Sequence, residues 1–296
     1  MTTLERRYRW LLRAYPTGYR SDYGDELLDV LLDTAEPGRA VPSLRETLAL
    51  LAGGLRTRIT QAAQGPAWAD GIHLAVTALS LFNLAVLIPY ASTIPLWLGL
   101  SAAGFVLILL GRVRPALPVV ALTGVKVAAV ALAQPWLDRT LLPVFPDDLW
   151  SSGPALYGSG GPIAPITSYL LVLLGLLALA MRREPPRRRS WWWILAVPLV
   201  AGADPAWLDI VGGTPSAVMR VGLESALLCA AAYAGHLTAD LRWAIAAGIY
   251  LLPASAVLAE NIEMISRQDL AHAGLVIVLT MAAAAVPLRA GKRVLL

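Results

Sequence analysis

The stretch Gly71 to Gly111, GIHLAVTALSLFNLAVLIPYASTIPLWLGLSAAGFVLILLG, runs for 41 residues without one Asp, Glu, Lys or Arg. A helix rises about 1.5 Å per residue, so roughly 20 apolar residues cross the ~30 Å hydrocarbon core of a bilayer. A run twice that length reads as two crossings joined by a turn, and no water-facing helix carries it. A second uncharged run, Leu149 to Met181, has 33 residues. The whole chain agrees: of its 296 residues 57% are hydrophobic and 15% charged, against about 25% charged in an average soluble domain. That balance excludes an ordinary soluble enzyme and makes lipid the main solvent.

Outward from this stretch, eight apolar segments qualify as spans, at approximately 68–89, 93–111, 115–134, 164–181, 191–208, 216–236, 243–261 and 270–288. Lys and Arg test the count, because they collect in cytoplasmic loops near span ends. With the N-terminus inside, the inner connections hold Arg112, Arg114, Arg182, Arg183, Arg187, Arg188, Arg189 and Arg242, and the tail holds Arg289, Lys292 and Arg293. The outer connections hold only Arg139 and Arg267. Acidic residues run the other way: Asp138, Asp147, Asp148, Asp204, Asp209, Glu260, Glu263 and Asp269 fall at or beyond the outer ends. Tryptophan favours the interface, where its ring meets lipid and its N–H meets water. Trp68, Trp191, Trp192, Trp193 and Trp243 open spans on the inner side, and Trp97, Trp136, Trp150 and Trp207 lie near the outer one. The expectation is a plasma-membrane protein with both termini cytoplasmic and a flexible or re-entrant outer cap at roughly 135–163. The first span then serves as its own insertion signal, since no short apolar core opens the chain. The single cysteine, Cys229, sits in an apolar run and is expected to pack inertly.

Residues 1–66 form a separate cytosolic unit, and 67–296 the membrane domain. Leu4, Tyr8, Leu11, Leu12 and Tyr15 make one helical stripe, with Arg6, Arg7, Arg9 and Arg13 off it. Pro16 ends that helix. A second stripe runs Tyr19, Tyr23, Leu27, Val30 and Leu31, backed by Asp22, Asp25, Glu26, Asp29, Asp33 and Glu36. Ser43-Leu-Arg-Glu46 has the spacing of a capping box, and opens a third stripe, Leu44, Leu48, Leu51, Leu55 and Ile59. Three one-sided helices bury their stripes against one another or a partner, which predicts a three-helix module. Its nine basic and eight acidic residues lack the strong positive excess of an autonomous nucleic-acid reader. No direct nucleic-acid partner is expected; membrane lipids and a cytosolic protein are.

Leu4-Glu-Arg-Arg-Tyr-Arg-Trp-Leu-Leu-Arg-Ala-Tyr-Pro-Thr-Gly-Tyr-Arg-Ser-Asp-Tyr-Gly-Asp-Glu-Leu28 resembles the short helical prefix domain of many actinobacterial multi-span membrane proteins, found in related form before some FtsX-type permeases. The resemblance rests on Tyr15-Pro16, Tyr19-Arg20 and Tyr23-Gly24-Asp25-Glu26 and covers about a tenth of the chain. It implies a regulatory or transporter-associated membrane role beside PadR-type transcriptional regulators, and not catalysis.

A charge at the bilayer centre costs about 2.5–3.5 kcal/mol on insertion scales, so each one asks for a partner or a purpose. Lys126 in the third span and Glu224 in the sixth fall at matching depth, with Arg220 one turn before Glu224. Lys126, Arg220 and Glu224 are therefore either a buried ion-pair cluster that fixes helix register or the lining of a polar cavity. Arg6, Arg7, Arg9, Arg13, Arg187, Arg188 and Arg189 are the residues suited to lipid or partner docking. Small residues one turn apart, Ala226, Ala230 and Ala234 with Ala231 and Gly235, favour close helix packing in the sixth span.

Glu260, Glu263 and Asp269 offer carboxylates to a cation without a fixed loop pattern. The sequence holds no GxxxxGK[ST] phosphate loop, no HExxH, no GxSxG elbow and no metal-spaced Cys/His set. The expectation is a non-enzyme without metal or cofactor: an all-α, polytopic membrane helix bundle of about eight transmembrane helices with a small N-terminal helical module. Two functions fit, a signalling or regulatory membrane protein whose module docks a partner, and the membrane subunit of a transporter served by a separate ATPase.

Overall fold

The computed structural model describes residues 2–36, 38–63, 65–134, 141–144, 161–202, 215–260, 262–263 and 265–294, and every regular element among them is a helix. Most of the expected outer cap at 135–163 lies outside the described residues, as do Asp138, Asp147, Asp148, Asp204, Asp209, Trp136, Trp150 and Trp207. The chain divides into two compact units, residues 1–65 and 66–296.

In the first unit α1 (Thr3–Leu11) runs into a 3-10 turn (Leu12–Ala14), followed by α2 (Thr17–Asp33) and α3 (Leu44–Ala62). Both α1 and α3 start in capping boxes. Thr2 Oγ1 accepts from the Glu5 N–H, and Ser43 Oγ accepts from the Glu46 N–H at 3.1 Å, while each Glu returns a carboxylate to the cap N–H. The first stripe is buried as expected: Leu4, Tyr8, Leu11, Leu12 and Tyr15 form the core with Leu28 and Leu50. Tyr8 donates its hydroxyl to Glu46 Oε2 at 2.8 Å. Arg58 donates to the carbonyls of Arg13, at 2.8 Å, and Ala14, closing the end of the turn. There α3 approaches backbone to backbone: a Cβ on Gly54 would lie 2.7 Å from that of Ala14.

This close approach decides which side of α3 the unit buries. The unit buries α3 through Leu50 and Gly54, and leaves Leu44, Leu48, Leu51 and Leu55 exposed at 77%, 58%, 43% and 54%. Two glycines let the helix sit so near the 3-10 turn that the Leu face is turned outward. In the second stripe Tyr19, Leu27 and Leu31 are half-buried against the core and Tyr23 and Val30 are exposed, while Leu28, the buried residue of α2, lies beside that stripe. The exposed Arg9 pairs with Glu5 on its own helix at 3.1 Å, not with an acid of α2. The Ser43 N–H, followed by the Tyr8 hydroxyl, holds the Glu46 carboxyl below its ordinary range. Burial pushes the Tyr8 and Tyr15 phenols up.

In the second unit the helices are α4 (Ala67–Leu87), α5 (Pro95–Leu109), α6 (Val113–Ala131), α7 (Ile163–Ala180), α8 (Trp192–Gly202), α9 (Pro215–Thr238), α10 (Arg242–Glu260) and α11 (Arg267–Val294). Each of the eight apolar segments thus contains a helix. By length and composition α4, α6, α7, α10 and α11 can cross a membrane, whereas α5 and α8 are apolar but shorter. At 15 residues, α5 spans about 22 Å of rise. Buried on every side along most of its length, α4 is the central helix and packs against α5, α7, α8 and α10. Exposed Leu170, Leu174 and Leu177 mark the outer face of α7. On α9, Ala234 and Gly235 are buried against α11, where Ala283 is fully buried, while Ala226 and Ala230 are exposed. Cys229 is exposed on α9 and not packed inside.

Candidate functional site in the second unit

At the end of the unit where α4 begins, Asp70 sits in the first turn and binds two guanidinium groups from distant sequence. Arg189 reaches its Oδ1 at 2.5 Å and its backbone carbonyl at 2.8 Å; Arg242 reaches Oδ2 at 2.7 Å. Arg242, only 1% exposed, also binds Asp240 through Nε at 2.8 Å. The Arg189 N–H donates to the Leu109 carbonyl at 2.8 Å, at the end of α5. Gly111, at φ +72°, lets Pro186 approach where a Cβ would collide. Burial lowers the Arg189 pKa from its ordinary value, and Asp70 opposes that shift. Of the three docking arginines, Arg187 and Arg188 are exposed and Arg189 is committed to this network.

At the opposite end, the Glu260 carboxylate accepts from the Ile163 and Ala164 N–H groups at 2.6 and 3.1 Å, covering the first turn of α7. Negative charge is favoured there by the helix dipole. Asp269 accepts from Ser266 N–H and Oγ at 2.9 and 2.6 Å. Glu260 and Asp269 are therefore engaged in separate helix starts, and among the described residues no group of three His, Cys, Asp or Glu gathers for a metal.

Of Lys126, Arg220 and Glu224, which the sequence groups together, the structure keeps Arg220 and Glu224 on one cavity and sets Lys126 against Trp97. Arg220 and Glu224 line one cavity of about 80 Å³ among α9, α10 and α11, with Phe82 of α4. Lys126, fully buried on α6, stands with Nζ 5.8 Å from the Trp97 ring centroid on α5. Glu224, 8% exposed, takes Tyr250 and His272 as partners instead: Tyr250 donates to Oε1 at 2.7 Å, and His272 Nε2 lies 2.6 Å from Oε2. Trp97, expected near the outer interface, is fully buried.

The cavity combines an apolar wall, including Leu251 and Val276, with Arg220, Glu224, Asp269 and His272. A carboxylate gripped by a phenol and an imidazole is fixed in direction, and it can exchange a proton with the imidazole without either group moving. Tyr250 was missed because a tyrosine in an apolar span carries no charge to attract notice. His272 had a signal: the charge alternation starts its helix and that of Glu224 on the same side. Another missed polar contact joins Ser168 Oγ on α7 to Asn83 Oδ1 on α4, at 2.8 Å, buried. Compared with protein-family models, with curated proteins and with solved structures, the chain matches none.

Proposed function

We propose that the chain is an integral plasma-membrane protein of signalling or regulatory type, crossing the bilayer eight times with both termini in the cytosol. The Glu224–His272–Tyr250 cavity receives the stimulus, and the module of residues 1–65 engages a cytosolic protein. The observation that carries this is the buried Glu224 carboxylate, held by side chains from two further helices in a cavity with Arg220 and Asp269. Ionisable groups inside an apolar bundle are retained for a function more often than for stability. The directions of α4, α5, α7 and α10 fit the alternation that eight crossings require. The starts of α4 and α10 and the end of α5 meet around Asp70 and Arg189, and the end of α10 meets the start of α7 at Glu260. The resemblance of residues 4–28 to prefix domains of actinobacterial membrane proteins supports the partner-binding role.

A transporter subunit is the alternative, favoured by the carboxylate–imidazole pair, which suits proton-linked passage. With no phosphate loop in the sequence, any ATP would be used by a separate chain. Full-length protein in nanodiscs and Glu224→Gln distinguish the two. A regulatory cavity changes amide exchange in residues 1–65 when the charge is removed, with no ion flux in proteoliposomes. A proton or solute flux that Glu224→Gln abolishes, with exchange in 1–65 unaltered, moves the assignment to transport.

A further inference from the structure

On α3, Leu44, Leu48, Leu51 and Leu55 are all 43–77% exposed. At about 100° per residue they share an arc of roughly 60°, so they form one unpartnered apolar face and not scattered surface leucines. Arg45 and Arg56 are exposed on one flank of that face. The acid of α3, Glu46, is directed the other way, bound by Tyr8, Ser43 and Arg39. The remaining acids concentrate on α2, where Asp22, Asp25, Glu26, Asp29 and Asp33 are exposed. The helix that packs against both α2 and α3 is α1 with its 3-10 turn. The unit is thus divided, with negative charge on α2 and an apolar, arginine-flanked face on α3. At the start of α3 a cleft lined by Arg6, Arg7, Trp10, Val41, Pro42 and Thr47 carries the same chemistry. In sequence only residues 63–66 separate α3 from α4, a helix long and apolar enough to cross a membrane.

We infer that the Leu44–Leu48–Leu51–Leu55 face of α3 seats in the anionic inner leaflet, so that α3 lies on the membrane as an interfacial helix. A helix with one apolar face and arginines at its border lowers its free energy at the boundary of headgroups and acyl chains. Anionic lipid attracts the arginines and repels the α2 acids, which selects the orientation. A large exposed apolar patch marks an interaction surface, and the arginine flank together with the neighbouring span identifies lipid as its occupant. This rests on the proposal that α4 to α11 cross the bilayer.

The test uses the full chain with Cys229→Ser, spin-labelled in turn at Leu51→Cys, Asp29→Cys and Leu170→Cys. It is reconstituted in nanodiscs of mixed zwitterionic and anionic phospholipid. Collision with oxygen reports lipid, and collision with a water-soluble nickel chelate reports water. The expected result is that the Leu51 label matches the Leu170 label in losing nickel access, while the Asp29 label keeps it. Arg45→Glu with Arg56→Glu, or purely zwitterionic lipid, then returns nickel access at Leu51. The inference is overturned if the Leu51 label reads water like Asp29, or is shielded from both reagents by protein. It is also overturned if the label shows dipolar broadening from a second copy, or if lipid charge has no effect. A Leu170 label in water overturns the membrane crossing as well, and so separates failure of that proposal from failure of this one.

Discussion

Replacing Asp70 by Asn removes the one negative charge shared by Arg189 and Arg242 while keeping its size and a carbonyl oxygen. Arg242 is 1% exposed, and the side chains of Arg189 and Asp70 are 15% and 16% exposed, so water cannot replace the lost charge. Breaking a buried ion pair from one side costs about 3–5 kcal/mol, because the surviving charge stays desolvated. Asp240 still faces Arg242 at 2.7 Å, which argues for the lower limit, about 3 kcal/mol. That is roughly a hundredfold in the folding equilibrium. Reversible unfolding in mixed detergent micelles, followed by tryptophan fluorescence, measures it. Glu5→Gln is the control, since its partner Arg9 is 52% exposed, and such surface pairs contribute below about 1 kcal/mol. Adding Arg189→Gln to Asp70→Asn should restore stability, because it removes one of the two stranded cations. A loss under about 1 kcal/mol for Asp70→Asn, or a double variant weaker than the single one, would refute the view that this network joins α4, α10 and the 182–190 connection.

Three further outcomes follow from the same contacts. Gly54→Ala puts a Cβ 2.7 Å from that of Ala14, and overpacking of this kind costs about 1–3 kcal/mol; faster amide exchange confined to residues 1–65 would show it. Acidification should loosen that unit: the folded-state Glu46 pKa is lowered, so its contribution is full above the ordinary carboxylate pKa and is lost as pH falls through the lower folded value. Glu46→Gln should flatten this dependence in exchange measured from pH 7 downward, and an unchanged profile would contradict it. Glu260→Ala strips the first turn of α7 of two hydrogen bonds, a loss of about 1 kcal/mol by analogy with N-cap removal, readable as increased exchange at residues 163–166.

How much of this was legible follows from the range of the forces involved. Burial in lipid is a property of contiguous stretches, so the eight apolar segments could be read from sequence and each contains a helix. The capping box at Ser43 and Glu46 closes within three residues, and it formed as its spacing implied. On α3 the periodicity identifies an apolar face, Leu44, Leu48, Leu51 and Leu55, but not what covers it. Gly53 and Gly54, small enough to admit the 3-10 turn and Tyr15, decided which side is buried. Close backbone packing on the glycine side leaves the leucines on the other side exposed.

The site shows the same limit more sharply. Matching depth selected Lys126 and Glu224 as partners, but depth is one coordinate and pairing needs three. The rotation of α6 turns Lys126 to Trp97, and that of α9 turns Glu224 to Tyr250 and His272. Both arrangements satisfy the same physical demand, that a charge placed in an apolar bundle be met by a polar or aromatic group. Charge alternation assigns the starts of α4 and α10 and the end of α5 to one side, and those three ends meet. Asp70, Arg189 and Arg242 come from three separate parts of the sequence and meet at one pole, as that alternation requires. Which side chains then face one another is set by helix rotation, and rotation is fixed by the small residues and apolar contacts between helices, which carry no charge to read.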